Sequence, residues 1–189
     1  MTIRTLFCLL LLSSVCFALD PGQKAADFTL PATSGKQIQL GEYKGKNVVV
    51  VFFSTQCPYS RAFTDTIAQV ARDYATKGIV FIGINSNKTE AVEEVQRFAA
   101  QHFSFTVVKD AGNKVADQYG AQVTPEAFLI DGSGTIRYHG SVGNSNNPTT
   151  DASQANSKEL RSALDELLAG KPISKAKTKA FGCTIKRVA

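Results

Sequence analysis

The stretch that most constrains this chain is NVVVVFF, residues 47–53, which runs directly into STQCPYSRAFTD, residues 54–65. Four consecutive valines followed by two phenylalanines show no polar alternation. Such a run suits a central strand buried on both faces of a sheet. Cys57 and Pro58 follow at once, and proline is favoured in the first turn of a helix. From there to residue 77, Phe63, Ile67, Val70, Ala71 and Tyr74 recur at three- and four-residue steps until Gly78 ends the pattern. A strand, a cysteine at its end and a helix are therefore fixed early.

The rest of the chain continues that alternation. Residues 20–35 form an irregular lead-in, and Lys36–Leu40 alternates as a short strand. Ile79–Ile84 reads as a second buried strand, with Asn85-Ser86-Asn87 as a loop that turn chemistry explains, although Asn85 and Asn87 stand at a strand's carboxyl end where they could border the site. Thr89 offers an N-cap for a helix to Gln101, with Val92, Val95, Phe98 and Ala99 as its apolar stripe. Ser104–Val108 is a strand, Asn113–Tyr119 a short helix, and Ala127–Ile130 with Thr135–His139 a hairpin about the turn Asp131–Gly134. Residues 141–157, rich in Asn, Ser and Thr, form a loop before a last helix over 157–169. Alternating strands and helices give an α/β fold with a sheet covered on both faces. The order is that of a thioredoxin-like fold: a central mixed sheet, an N-terminal extension, one inserted strand–helix unit and a flexible C-terminal tail.

The length of 189 residues with 43% apolar side chains suits one domain with a real core. Residues 1–18 read as a signal peptide: Arg4, an apolar stretch from Leu6 to Val15, and a small-residue cleavage site ending at Ala18. The expected organisation is a leader at 1–18, a thioredoxin-like domain at 19–170, and a basic tail at 171–189 carrying Cys183. The mature protein is then exported, periplasmic or secreted, with no stable membrane span after cleavage. Removing Arg4 lowers Lys plus Arg from 21 to 20 against 16 acids, leaving +4. Much of that excess lies in the tail, with no basic stripe interleaved with aromatics, which argues against a nucleic-acid partner.

Loss of the leader also removes Cys8 and Cys16 and leaves Cys57 and Cys183. Cys57 stands beyond the carboxyl end of a strand and at the start of a helix, where free N–H groups and the helix dipole favour a thiolate nucleophile. Arg61, one turn further on, can add positive charge. Thr124-Pro125-Glu126 precedes the strand AFLID, which resembles the place where thioredoxin folds set a cis-proline facing the active cysteine. It would hold the Thr124 backbone for a substrate disulfide or thiol. Gly182-Cys183 in the tail has two readings. A mobile strip could bring Cys183 to Cys57 as a resolving sulfur, or the two could form a permanent bridge that pins the tail.

CPYSRAFTD, GINSN, TPEAFLID and GCTIKR together resemble the peroxiredoxin-like branch of the thioredoxin superfamily, grouped with the alkyl hydroperoxide reductase/thiol-specific antioxidant (redoxin) domains. The resemblance covers residues 22–187. It implies a thioredoxin fold, an active Cys57, a cis-proline at 125 and a second cysteine in the tail. The sequence also departs from true peroxiredoxins. Ser54 stands at the place of their threonine, Val50 replaces their proline, and Pro125 falls where their arginine is expected. Ser60 replaces the second cysteine of a C-x-x-C pair, and Val51 occupies the strand position where a buried acid would sit, leaving Glu126 as the candidate base.

The leading function is an exported thiol–disulfide oxidoreductase with antioxidant character. It has catalytic Cys57 and Cys183, while Pro58, Arg61, Thr124, Pro125 and Glu126 contact the substrate. Its partner is a thiol or disulfide protein or a small thiol, with no cofactor and no metal; the sequence sets no oligomeric state. A thiol peroxidase of low efficiency is the first alternative, with peroxide as substrate. A non-enzymatic copper-binding or copper-delivery module is the second, drawing on Cys57, Cys183 and His102 or His139. Of the histidines, His102 closes a helix and His139 is expected at the surface.

Overall fold

The computed structural model describes residues 19–143 and 157–189. The leader at 1–18 and most of the Asn/Ser/Thr-rich loop lie outside the described residues. No described helix is long and apolar enough to cross a membrane.

The valine run forms strand β3, Asn47–Phe52, preceded by a small antiparallel pair, β1 (Thr29–Pro31) and β2 (Gln37–Gln39). Beyond it come β4 (Ile79–Asn85), β5 (Thr106–Lys109), β6 (Val123–Thr124), β7 (Glu126–Ile130), β8 (Ile136–Gly140) and β9 (Cys183–Thr184). The main sheet has the order β5-β4-β3-β7-β8. Strands β3, β4 and β5 run parallel, and the hairpin β7–β8 adds the antiparallel edge. This is the expected mixed sheet.

Side-chain alternation along β3 explains why every residue of the run is apolar. Val48, Val50 and Phe52 point into one core with Ile82, Ile84, Phe128 and Tyr119, while Val49 and Val51 point into the other with Ile67, Val70, Tyr74 and Leu164. Helices α2 (Thr64–Ala75), α3 (Val92–His102) and α5 (Lys158–Leu168) cover the second face. Helix α4 (Lys114–Tyr119), the N-terminal segment and Ile185 of the tail cover the first.

Three local expectations change. The single helix over 58–77 is two, α1 (Pro58–Ala62) and α2, separated at Phe63 with φ −98° and ψ 5°. Thr64 explains the bend, because its hydroxyl donates to the Ser60 carbonyl one turn back at 3.1 Å. Helix α3 begins at Val92 with Ala91 at its cap, and Thr89 does not cap it. Glu90 is drawn inward before the helix starts, as shown below. The third parallel strand, at the sheet edge, starts two residues later than expected, at Thr106.

The tail is the largest difference. Composition suggested a flexible strip, but residues 176–188 lie bonded along the domain. His139 N–H donates to Ala176 O at 2.9 Å, and Thr178 N–H donates to His139 O at 3.0 Å. Strand β9 pairs antiparallel with β6, Thr124 opposite Cys183 and Val123 opposite Thr184. Ile185 is 2% exposed. Its burial contributes about 1.5–3 kcal/mol, which a loose tail would forgo.

Candidate active site

The chain leaves β3 and winds around one hydroxyl. Ser54 Oγ accepts the N–H of Cys57 at 2.9 Å and of Gln56 at 3.2 Å, and it donates its own proton to the Glu90 carboxylate. Ser60 closes the turn from the helix side, its Oγ accepting the Ser54 N–H at 3.0 Å. The position where a C-x-x-C pair would hold its second sulfur is thus a buried structural hydroxyl. Cys57 occupies the N-cap of α1 in extended conformation, Pro58 follows in the first turn, and the Cys57 carbonyl accepts Arg61 N–H at 2.9 Å.

The Cys57 side chain is 4% exposed. Its thiol donates to Thr124 O at 3.1 Å, and the sulfur accepts the backbone N–H of Cys183 at 3.4 Å. The Thr124–Pro125 peptide is cis. Cys57, Thr124 and Cys183 therefore lie together, with Pro125 next along the chain. The second sulfur arrives in a paired strand rather than on a mobile strip. Both cysteines are free thiols here, so a covalent bridge is not what holds the tail.

Burial pushes the Cys183 thiol up from 9.0 to about 11, and the hydrogen bond and charge of Cys57 add to the effect. The Tyr59 backbone and Lys186 act in the opposite direction. A neutral thiol is thus favoured by the folded state. The unfolded chain ionises first, so this contribution is full below about pH 9 and is lost as pH rises through about 11. Urea midpoints measured between pH 8 and pH 12 are expected to fall more steeply for the natural chain than for Cys183→Ser (about the window set by those two values).

Two expected site residues turn away from the sulfur. Arg61 is exposed and donates from Nη1 to Thr55 O at 3.3 Å, so it braces the loop. Glu126 is buried, but its Oε2 accepts Gln122 N–H at 2.8 Å and Val123 N–H at 3.2 Å, and its Oε1 lies 2.6 Å from His139 Nε2. It braces the turn into β6, and with it Thr124. His139 is accordingly not a surface residue. It is 6% exposed and stacks on Phe128 with ring centroids 4.1 Å apart. His102 closes α3 as expected and packs on Phe98. Among the described residues no group of three or more His, Cys, Asp or Glu side chains could hold a metal ion, which leaves the copper reading without such a ligand cluster.

No local pattern in the sequence singles out Glu90. It is 2% exposed, and besides Ser54 its carboxylate accepts Thr55 N–H at 2.7 Å and Asn85 Nδ2 at 2.7 Å. Beneath it Lys109, also buried, donates from Nζ to Asn85 Oδ1 at 2.6 Å, Asn87 O at 2.7 Å and Glu90 O at 2.7 Å. Burial lowers the Lys109 pKa, against the opposing pull of Glu90, Asp110 and Glu94. Asn85 and Asn87 therefore do more than shape a turn. Asn85 joins the carboxylate to the ammonium, and Asn87 Oδ1 accepts Lys186 N–H from the tail at 2.7 Å. A cavity of about 240 Å³ lies beside Cys57, bordered by Ser54, Glu90, Thr124, Cys183 and Lys186.

Known proteins share the fold and family of this chain. The model of the AhpC/TSA family matches residues 21–139. The thiol-disulfide oxidoreductase ResA of Halalkalibacterium halodurans is 34% identical over 116 residues, covering 61% of this chain and 65% of that relative. The match thus spans slightly less than two thirds of the ResA chain. A hypothetical protein of Sinorhizobium meliloti 1021 superposes with a TM-score of 0.83 at 32% identity, covering 92% of this chain and 97% of that one. A secreted disulfide oxidoreductase of Mycobacterium tuberculosis gives a TM-score of 0.58 at 27% identity, with 73% and 94% covered.

Proposed function

The chain belongs to the AhpC/TSA family, and from that premise we infer that it is an exported thiol–disulfide oxidoreductase working through Cys57 and Cys183. The observation that carries this reading is the Cys183 backbone N–H, 3.4 Å from Cys57 Sγ, in a strand paired with Thr124. Two thiols held at one sheet edge, with one sulfur hydrogen-bonded to the other residue's backbone, suit sequential attack more than a structural role.

The steps balance as an exchange. Cys57, as thiolate, attacks one sulfur of a disulfide RS–SR, forming a mixed disulfide and releasing RS⁻. Cys183 then attacks Cys57 Sγ, forming the Cys57–Cys183 bond and expelling the second RS⁻. The two protein thiol protons leave on two RSH, and an external dithiol returns the pair to the reduced state. Burial is the largest cause of the raised Cys183 pKa. Part of what raises it is its contact with the Cys57 sulfur. Capping Cys57 removes that part and leaves the burial in place.

Export rests on the leader pattern of residues 1–18, and a secreted disulfide oxidoreductase among the similar structures supports it. The organisation proposed is a leader at 1–18, a domain at 19–170 and a tail at 171–189. That tail is better regarded as part of the active site than as an appendage. Cys183→Ser decides the roles. After treatment with 2-hydroxyethyl disulfide, this variant is expected to retain a stable adduct on Cys57, whereas the natural chain releases both halves of the reagent. An unmodified Cys57 in the variant would refute the assignment.

A further inference from the structure

The backbone edge of Val123–Thr124 determines what reaches Cys57, because the residue opposite Thr124 is delivered to the sulfur. An extended segment of another polypeptide could present a cysteine there in the register that Cys183 uses. In this chain the edge is occupied, and the occupant is held on both sides. Ile185 N–H donates to Gln122 O at 3.0 Å on one side. On the other, Lys88 N–H donates to Lys186 O at 2.8 Å and Lys186 N–H to Asn87 Oδ1 at 2.7 Å. Ile185 is sunk in the core, and beyond it Arg187 is tied to Asp117 at 2.7 Å and to Ala121 O at 2.6 Å.

The approach of the tail is also unusually close. A Cβ placed on Gly182 would lie 2.0 Å from Thr124 O and 2.5 Å from its carbonyl carbon. Only a glycine before the cysteine permits this seating. What remains beside Cys57 is the cavity of about 240 Å³, with the sulfur itself 4% exposed. We propose that the docked C-terminal strand restricts Cys57 to low-molecular-weight disulfides and shuts polypeptide disulfides out of the Val123–Thr124 edge. The proposal rests on the exchange reading above and names its substrate class. The chemistry is the balanced exchange already given, with RS–SR a small disulfide as oxidant and two RSH as products.

The test compares 2-hydroxyethyl disulfide with insulin, each rate divided by that of dithiothreitol with the same reagent. The natural chain is expected to favour the small disulfide by at least about a hundredfold, because access sets exchange rates as strongly as thiol chemistry does. Gly182→Ala lifts the strand from the edge and is expected to raise the insulin-to-small ratio by at least about tenfold. Insulin turnover within about threefold of the small disulfide by the natural chain overturns the proposal, as does an unchanged ratio in folded Gly182→Ala. If that variant does not fold, the first comparison alone decides. A chain that reacts with neither disulfide faster than Cys57→Ser, or only with hydrogen peroxide, refutes the exchange reading itself and this proposal with it.

Discussion

Cys57→Ser is expected to lower the rate of disulfide reduction by at least about a thousandfold, to the background of the reagent alone, because a hydroxyl is a far weaker nucleophile than a thiolate and forms no disulfide. Serine is nearly the same size and can still donate to Thr124 O, which now accepts the thiol at 3.1 Å. The fold should therefore hold, with a change in stability within about 1 kcal/mol. Loss of activity at unchanged stability separates a reacting group from a structural one. The same variant carries a second signature. Without the Cys57 sulfur, one of the causes that holds Cys183 at about 11 is gone. Alkylation of Cys183 should accordingly turn on at lower pH in Cys57→Ser than in the natural chain. Activity retained in Cys57→Ser would mean that another group does the chemistry.

Glu90→Ala is expected to destabilise the fold by about 3–5 kcal/mol, the range for removing one partner from a buried charged network. The carboxylate accepts from Ser54, Thr55 and Asn85, all of which are buried. Alanine leaves those donors without an acceptor and creates a cavity among them. It also removes the negative charge that favours the protonated form of buried Lys109. The urea midpoint should fall with little change in slope. Because Ser54 also orients the Cys57 amide, surviving folded protein should exchange more slowly. A stability loss under about 1 kcal/mol would show that the network does not hold the loop as described.

Much of the framework was legible because it depends on local pattern. The valine run, the Phe63–Tyr74 stripe and the Asp131–Gly134 turn each bear their structure in adjacent residues. The juxtaposition of Cys57 with Thr124 was legible only through the likeness to thioredoxin folds, which place a cis-proline opposite the cysteine. The missing parts are long-range. Glu90 and Lys109 carry no local sign of burial in the sequence, and only the topology, which puts β5 beside β4 and the 87–90 turn above both, buries them together. His139 read as surface because its strand lies at the sheet edge. The tail covers that edge through Ala176 and Thr178, and Glu126 meets the imidazole from inside. The tail itself read as loose because β9 has two residues, too few to display an alternating pattern. What anchors it is Ile185, a buried apolar side chain in a basic segment, which carries no periodic signal of its own.

The central claim is that Cys57 and Cys183 exchange electrons as a pair. The direct measurement is mass mapping of the purified chain after stoichiometric 2-hydroxyethyl disulfide, with free thiols alkylated beforehand in a parallel sample. A peptide pair joined through Cys57 and Cys183, absent from the pre-alkylated sample and reversed by dithiothreitol, is the predicted outcome. Reagent bound to Cys57 while Cys183 remains a free thiol would contradict it.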